Sequence, residues 1–255
     1  MSRTTFVIPC FNEEKRLDRA RFVAFAESAR TKLVFVDDGS RDATSEVIEE
    51  MARSARAGAI ELLRLEKNAG KGEAVRRGML HAFDQGADIV GYADADLATP
   101  PRELLRLRDV LEGADGLDVV IGSRVLMVGH AVERKRTRHY LGRVFATFAA
   151  NILRTPFYDT QCGAKLFRSI PETRAAFGRP FVSRWAFDVE LLGRLLIGGH
   201  GVGPLPLARM REVPLDEWVH VSGSKLDASH MARALVDLAR IEIELDRLSG
   251  GRRWP

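Results

Sequence analysis

Three short polar clusters carry the first hint of chemistry in this chain: Asn12-Glu13-Glu14, Asp37-Asp38 and Asp94-Ala95-Asp96. Each closes an apolar run: Phe6-Val7-Ile8, Leu33-Val34-Phe35-Val36 and Ile89-Val90-Gly91-Tyr92. Taken singly, any one of them reads as a helix cap or a turn, because short carboxylates accept hydrogen bonds from free backbone N–H groups. Taken together at equivalent strand ends, they crowd negative charge along one edge of a sheet. That crowding costs free energy unless a cation sits among the carboxylates. Oxygen ligands of this kind suit Mg²⁺ or Mn²⁺.

A second feature has the opposite sign. Between Arg124 and Arg154 lie seven bases and one acid, Glu133, a local excess of +6 in a chain of net charge +4. Arg124, Arg134, Arg138 and Arg143 are spaced through that window. A local basic patch suggests an anionic partner: a phosphate, a lipid headgroup or a nucleic acid. Its densest stretch, Arg134-Lys135-Arg136-Thr137-Arg138, has no interleaved aromatic residue on which single-stranded bases would stack, which argues against nucleic acid. A solvated basic loop is the plain alternative.

Short apolar runs alternating with helical patterns must position these residues. The strands are expected at Phe6–Ile8, Leu33–Val36, Ile60–Leu65, Ile89–Tyr92 and Val119–Ile121. Helices are expected between them, the first over about 13–29 and another over 71–83. This order implies an α/β domain with a mostly parallel sheet flanked by helices, and ligands beyond the carboxyl ends of its strands. The later chain is less regular. Leu141, Val144, Phe145, Phe148 and Ile152 repeat at helical spacing, as a core face or a membrane-surface stripe. Helices are also expected over Trp185–Ile197 and Ser229–Leu248, and a short strand near Arg211–Val213. Without a repeat, low-complexity tract or clear linker, the 255 residues read as a single domain.

Composition excludes several classes. The two cysteines, Cys10 and Cys162, are far apart and make no CxxC pair, so neither a disulfide framework nor a structural zinc site is expected. No stretch reaches the roughly 20 apolar residues that span a bilayer. With no signal peptide at the start, a cytoplasmic protein is expected, peripheral at the inner face of a membrane if it meets one. The turn Pro9-Cys10-Phe11-Asn12-Glu13-Glu14 lacks the glycines of a dinucleotide fold, and its two acids would repel a pyrophosphate. Gly70-Lys71 is not a P-loop, since Leu65 replaces the first glycine and Gly72 the Ser/Thr.

In joint order, Val7-Ile8-Pro9-Cys10-Phe11-Asn12-Glu13-Glu14, Val36-Asp37-Asp38-Gly39-Ser40, Asn68-Ala69-Gly70-Lys71-Gly72 and Asp94-Ala95-Asp96 resemble the family 2 glycosyltransferases of GT-A fold. Gly122-Ser123-Arg124, Asp159 to Phe167, Arg184 to Leu192, and Trp218 with Gly223-Ser224-Lys225-Leu226 are similar to its dolichyl-phosphate β-glucosyltransferase branch. The resemblance runs from about Phe6 to Leu226. It implies a nucleotide-sugar half over about 1–124 and an acceptor half over about 125–255. It implies a nucleotide diphosphate-sugar donor, UDP-glucose foremost, and a polyprenyl phosphate acceptor met by peripheral membrane contact. A soluble acceptor, or donor binding without turnover, is the alternative. Pro9, Asn12, Glu14 and Asp38 would line the base and ribose pocket, with Lys71 near the nucleotide. Asp94 and Asp96 would form the D-x-D, with Asp96 the principal metal ligand. Asp188, and after it Asp159, would be the base or acceptor-orienting carboxylate. Arg124, Arg134, Arg138 and Arg143 would hold an acceptor phosphate.

Overall fold

Strands apolar on both faces force a layered solution, with helices covering each side of one sheet. The computed structural model describes residues 2–28, 31–125, 131–132, 136–199, 201–219 and 228–251, with backbone alone for 131–132, 136–144 and 228–232. Strand β1 (Thr4–Cys10) leads to helix α1 (Arg19–Ala26), β2 (Thr31–Asp37) to α2 (Thr44–Ser54), and β3 (Ile60–Arg64) to α3 (Lys71–Asp84). Strand β4 (Ile89–Ala93), α4 (Pro101–Gly113) and β5 (Val119–Ser123) follow. The later chain adds β6 (Ala131–Val132), α5 (Arg136–Leu153), β7 (Ala164–Arg168), α6 (Pro171–Ala176), α7 (Phe187–Ile197), β8 (Met210–Pro214), β9 (Glu217–Trp218) and α8 (Ala228–Ser249).

Seven strands form one sheet in the order β3-β2-β1-β4-β7-β5-β8, while β6 and β9 pair separately. Strands β1, β2, β3 and β4 are mutually parallel, as are β5 and β8. The mostly parallel α/β sheet is therefore present. Its exception is β7, which runs antiparallel between β4 and β5. Alternate residues of each strand serve opposite layers. Phe6, Ile8, Leu33 and Phe35 pack with α1, α2 and α4, whereas Val7, Val34, Val36 and Tyr92 pack with α3, α5, α7 and α8. Helix α3 lies very close to β1, since a Cβ at Gly78 would come 2.4 Å from the Val7 side chain. Every residue of α7 is buried, and α8 covers it.

One boundary differs from expectation in a way that matters for the site. The first helix starts at Arg19 rather than near Glu13, because the Asp18 side chain caps it by accepting from the Arg21 N–H. Glu13, Glu14 and Arg16 therefore stay in a turn at the end of β1, with Arg16 N–H donating to Glu13 C=O. The stripe on α5 is mainly core: Phe145 and Ile152 are buried and Phe148 is exposed. The side chains of Leu141 and Val144 lie outside the described residues.

Candidate active site

The carboxyl ends of β1, β2 and β4 meet at one edge, as parallel pairing with Cys10 beside Asp37 requires. Their loops are stitched together by side-chain caps. Asn12, at φ 54°, donates its N–H to Ser40 Oγ and accepts from the Arg41 N–H through Oδ1. Glu13 N–H donates to Thr44 Oγ1, and Glu14 Oε2 accepts from the Ala43 N–H. Asp37 accepts from the Ser40 N–H and the Ser45 hydroxyl. Asp38 is buried, and its oxygens accept from the N–H groups of Ala69 at 2.7 Å and Gly70 at 2.8 Å. It fixes the loop that launches α3. Gly39, at φ 69°, lets that loop approach: a Cβ there would come 2.8 Å from the backbone of Lys67 and Asn68.

Lys71 opens α3 and reaches the D-x-D segment, with its Nζ 2.5 Å from Asp94 Oδ1. Burial disfavours its charged form, but Asp94 first and then Asp188 outweigh that and raise its pKa. The Asp94 carboxylate lies against Gly163, where a Cβ would sit 2.2 Å from Oδ2. Asp96 Oδ1 accepts from the Ala98 N–H at 3.0 Å, and Oδ2 faces Arg16 Nη2 at 3.3 Å. Arg16 Nη1 is also 3.3 Å from Glu13 Oε1. Burial and then neighbouring Asp94 push the Asp96 pKa up. Burial also raises that of Glu13, against the pull of Arg16 and with a further push from Asp96. Glu13 Oε2 is buried and has no hydrogen-bond partner among the described residues.

A buried ionic cluster supports this edge. Lys165 on β7 is fully buried, and its Nζ donates to Asp188 Oδ1 at 2.5 Å and to the Cys162 carbonyl at 2.6 Å. The Tyr92 hydroxyl donates to the same Asp188 oxygen. Burial first, and then Asp188, keep that phenol protonated by raising its pKa well above the ordinary value. Register explains the meeting, since Tyr92 on β4 pairs with Lys165 on β7 while Asp188 enters from the first turn of α7.

A second ion pair lies past β5. Arg124 grips Asp159 in a fork, Nε to Oδ2 and Nη2 to Oδ1, each at 2.7 Å. The Arg124 N–H adds a bond to Oδ2, and the Arg124 guanidinium lies 5.5 Å from the centre of the Trp218 ring. Glu212 in turn accepts from the N–H groups of Tyr158 and Asp159.

The structure thus brings Asn12, Glu14, Asp38, Lys71, Asp94 and Asp96 to one edge, with Pro9 in β1 beneath them and Asp188 near Lys71. Arg124 and Asp159, assigned separate roles from sequence, are partners. Arg134 lies outside the described residues, as do the side chains of Arg138 and Arg143. Sequence reasoning missed Arg16, Lys165 and Tyr92. For Lys165 a signal existed: a lone lysine inside the apolar stretch Gly163-Ala164-Lys165-Leu166-Phe167 needs a buried partner. Among the described residues, no group of three or more His, Cys, Asp or Glu is arranged to hold a metal by itself. The donor set still fits a hard dication, because acidic oxygens share one edge and the buried Glu13 Oε2 lacks a partner.

An α/β sheet with this strand order and acidic loops at its carboxyl edge has the architecture of the GT-A glycosyltransferases. Residues 5–172 match the glycosyl transferase family 2 model. The chain belongs to that family and is a glycosyltransferase. It is 31% identical over 253 residues to a dolichyl-phosphate beta-glucosyltransferase of Dictyostelium discoideum, covering 92% of this chain and 72% of that one. It is 35% identical to the enzyme of that name from Drosophila melanogaster over 244 residues, 86% of this chain and 68% of the other. Among solved structures it resembles glucosyl-3-phosphoglycerate synthase from Mycobacterium tuberculosis, with a TM-score of 0.66 at 19% identity, over 94% of this chain and 80% of that one.

Proposed function

We propose that this glycosyltransferase moves glucose from UDP-glucose to a polyprenyl phosphate, with inversion at the anomeric carbon and the help of Mg²⁺ or Mn²⁺ at Asp96 and Asp94. The observation that carries this is the pair Asp94–Asp96, set beside a buried Glu13 oxygen that has no partner among the described residues, at the carboxyl edge of the sheet. The names of the relatives support a lipid phosphate acceptor. The solved neighbour was crystallised with Mn²⁺, UDP-glucose and phosphoglyceric acid, which supports the donor and metal.

In this reading Pro9, Asn12 and Glu14 line the base and ribose pocket. Asp38 keeps free lone pairs for the nucleotide while fixing the loop at Ala69 and Gly70. Lys71 steers the donor's diphosphate from its place on Asp94. When bound, the metal neutralises charge on the leaving diphosphate. The acceptor has a second pKa near 6 (about the value for any phosphate monoester), so it is mostly ionised at neutral pH and needs positioning more than deprotonation. Arg124, set by Asp159, provides that with Arg134, Arg138 and Arg143. Asp188, held by Lys165 and Tyr92, orients the acceptor or takes its proton if it bears a hydroxyl. The whole chain acts as one domain on the cytoplasmic face of a membrane, touching it peripherally.

The test is glucose transfer from UDP-glucose with Mn²⁺ to polyprenyl phosphate in vesicles. Asp96→Asn should lower kcat on the order of 10²-fold or more, and weaken donor binding only when metal is present. Turnover that persists in EDTA sinks the metal assignment. A second reading, a soluble phosphate-bearing acceptor, is favoured by the phosphoglyceric acid in the solved neighbour. Transfer to 3-phosphoglycerate, with none to any lipid phosphate, would establish it instead.

A further inference from the structure

Each carboxylate of the D-x-D segment already has a resident base. Asp94 holds Lys71 at 2.5 Å, and Asp96 faces Arg16 at 3.3 Å. The two bases are not held alike. Lys71 is fixed at the start of α3 by a short contact to Asp94. Arg16 sits in the turn after β1 on two long contacts, with a side chain 44% exposed. Neither contact is the two-bonded fork that Arg124 makes with Asp159 at 2.7 Å. Moreover, Arg16 does not satisfy the carboxylates it touches. It serves Glu13 Oε1 and, among the described residues, leaves Oε2 buried without a partner. Three carboxylates, Glu13, Asp94 and Asp96, face two bases here. A divalent cation would neutralise Asp96 better, and its charge at that oxygen would repel the guanidinium beside it.

We infer that Arg16 is a displaceable counterion: it occupies Asp96 while the donor site is empty, competes there with the divalent cation, and turns to the donor's diphosphate when metal and nucleotide bind together. This rests on the metal assignment proposed above. The exchange is charge-balanced. Arg16 gives up its contacts with Asp96 and Glu13 as the cation arrives, and the anionic diphosphate provides new acceptors for its fork. The consequence is coupling: metal alone binds weakly, nucleotide alone binds weakly, and each helps the other.

Mn²⁺ binding measured by calorimetry, with and without UDP, tests this in the absence of any acceptor or turnover. Relative to wild type, Arg16→Gln should bind Mn²⁺ about fivefold more tightly without UDP, since a competing cation is gone. Adding UDP should improve Mn²⁺ affinity less in this variant than in wild type. Arg16→Lys, which keeps the charge, should retain most of the wild-type coupling and guards against a folding defect, read by its thermal melt. Unchanged or weaker Mn²⁺ binding to Arg16→Gln without UDP overturns the inference, as does equal enhancement by UDP in both proteins. Failure of wild type to bind Mn²⁺ at all overturns it together with the metal assignment. Absent transfer to lipid phosphate with these binding results intact bears only on the acceptor.

Discussion

At Gly163 the absence of a side chain has a chemical purpose. The Asp94 carboxylate occupies the space a Cβ would need, with the nearest atom at 2.2 Å. Gly163→Ala must displace the Asp94 carboxylate, and so misplace the ligand pair rather than remove it. The expected result is at least about a tenfold loss of kcat/KM, since displacements of about 1 Å at a reacting centre cost that much or more. Its thermal melt should move far less than that of a core truncation, and wild-type activity in this variant would refute the packing argument. Cys162, just before it, is buried, and burial above all pushes its thiol up to about 12, opposed by Arg124 and helped by Asp159. Cys10 is buried too, and burial first raises its pKa well above the usual thiol value. Neither thiol supplies much thiolate at neutral pH, so native protein should resist iodoacetamide and label at both cysteines only after unfolding. Rapid labelling of the native state would contradict the burial.

Strand β7 is the strand of the seven-stranded sheet that sequence pattern did not disclose. The parallel core strands are legible because apolar runs of a few residues alternate with helices, and the D-x-D edge follows from where those runs stop. Ala164–Arg168 breaks the pattern: it has a lysine in its middle and enters the sheet antiparallel, between strands that precede it in sequence. No local signal encodes that insertion. The lysine is accommodated by a partner from another element, since Lys165 donates to Asp188 of α7, whose same oxygen accepts from the Tyr92 hydroxyl of β4. Arg16 escaped notice for a related reason: an amphipathic reading extends the helix back to Glu13, whereas the Asp18 cap starts it late. Lys165, Asp188 and Tyr92 tie three elements together, and the cost of breaking them should be asymmetric. Lys165→Met leaves a buried carboxylate without its cation and should destabilise the fold by roughly 3–5 kcal/mol. The double variant Lys165→Met/Asp188→Asn removes both charges and should recover a large part of that loss. Chemical denaturation of the single and double variants measures the coupling, and strictly additive losses would mean that the pair does not interact.

Across the molecule, exposed apolar residues gather where the later helices meet. Phe148 on α5, Val182 and Trp185 before α7, and Leu235 and Val236 on α8 are all exposed. Two contacts join the segments that carry them. The Trp185 ring packs edge-on against Phe145, which precedes Phe148 by three residues on α5, and the Ser183 hydroxyl donates to Asp237, next to Val236. Helix α5 carries Arg136, Arg138 and Arg143 in its sequence, within the window of +6. No helix of the described residues is long and apolar enough to cross a membrane. Exposed apolar side chains beside a basic helix suit a surface that rests on anionic lipid headgroups, where each apolar group inserted adds to an electrostatic attraction. The two contributions separate experimentally, because salt screens the charges and leaves the apolar part. Phe148→Ser/Val236→Ser should lower co-sedimentation with vesicles containing anionic lipid by about tenfold or more, on the basis of about 1 kcal/mol for each partly inserted side chain. The residual binding of the variant should then vanish at high salt, whereas wild type should retain some. Neither residue lies among the site groups, so transfer of glucose to a short-chain, water-soluble polyprenyl phosphate should proceed at the wild-type rate. Equal co-sedimentation of variant and wild type at both salt concentrations would remove this face from the membrane and leave these residues as ordinary exposed side chains.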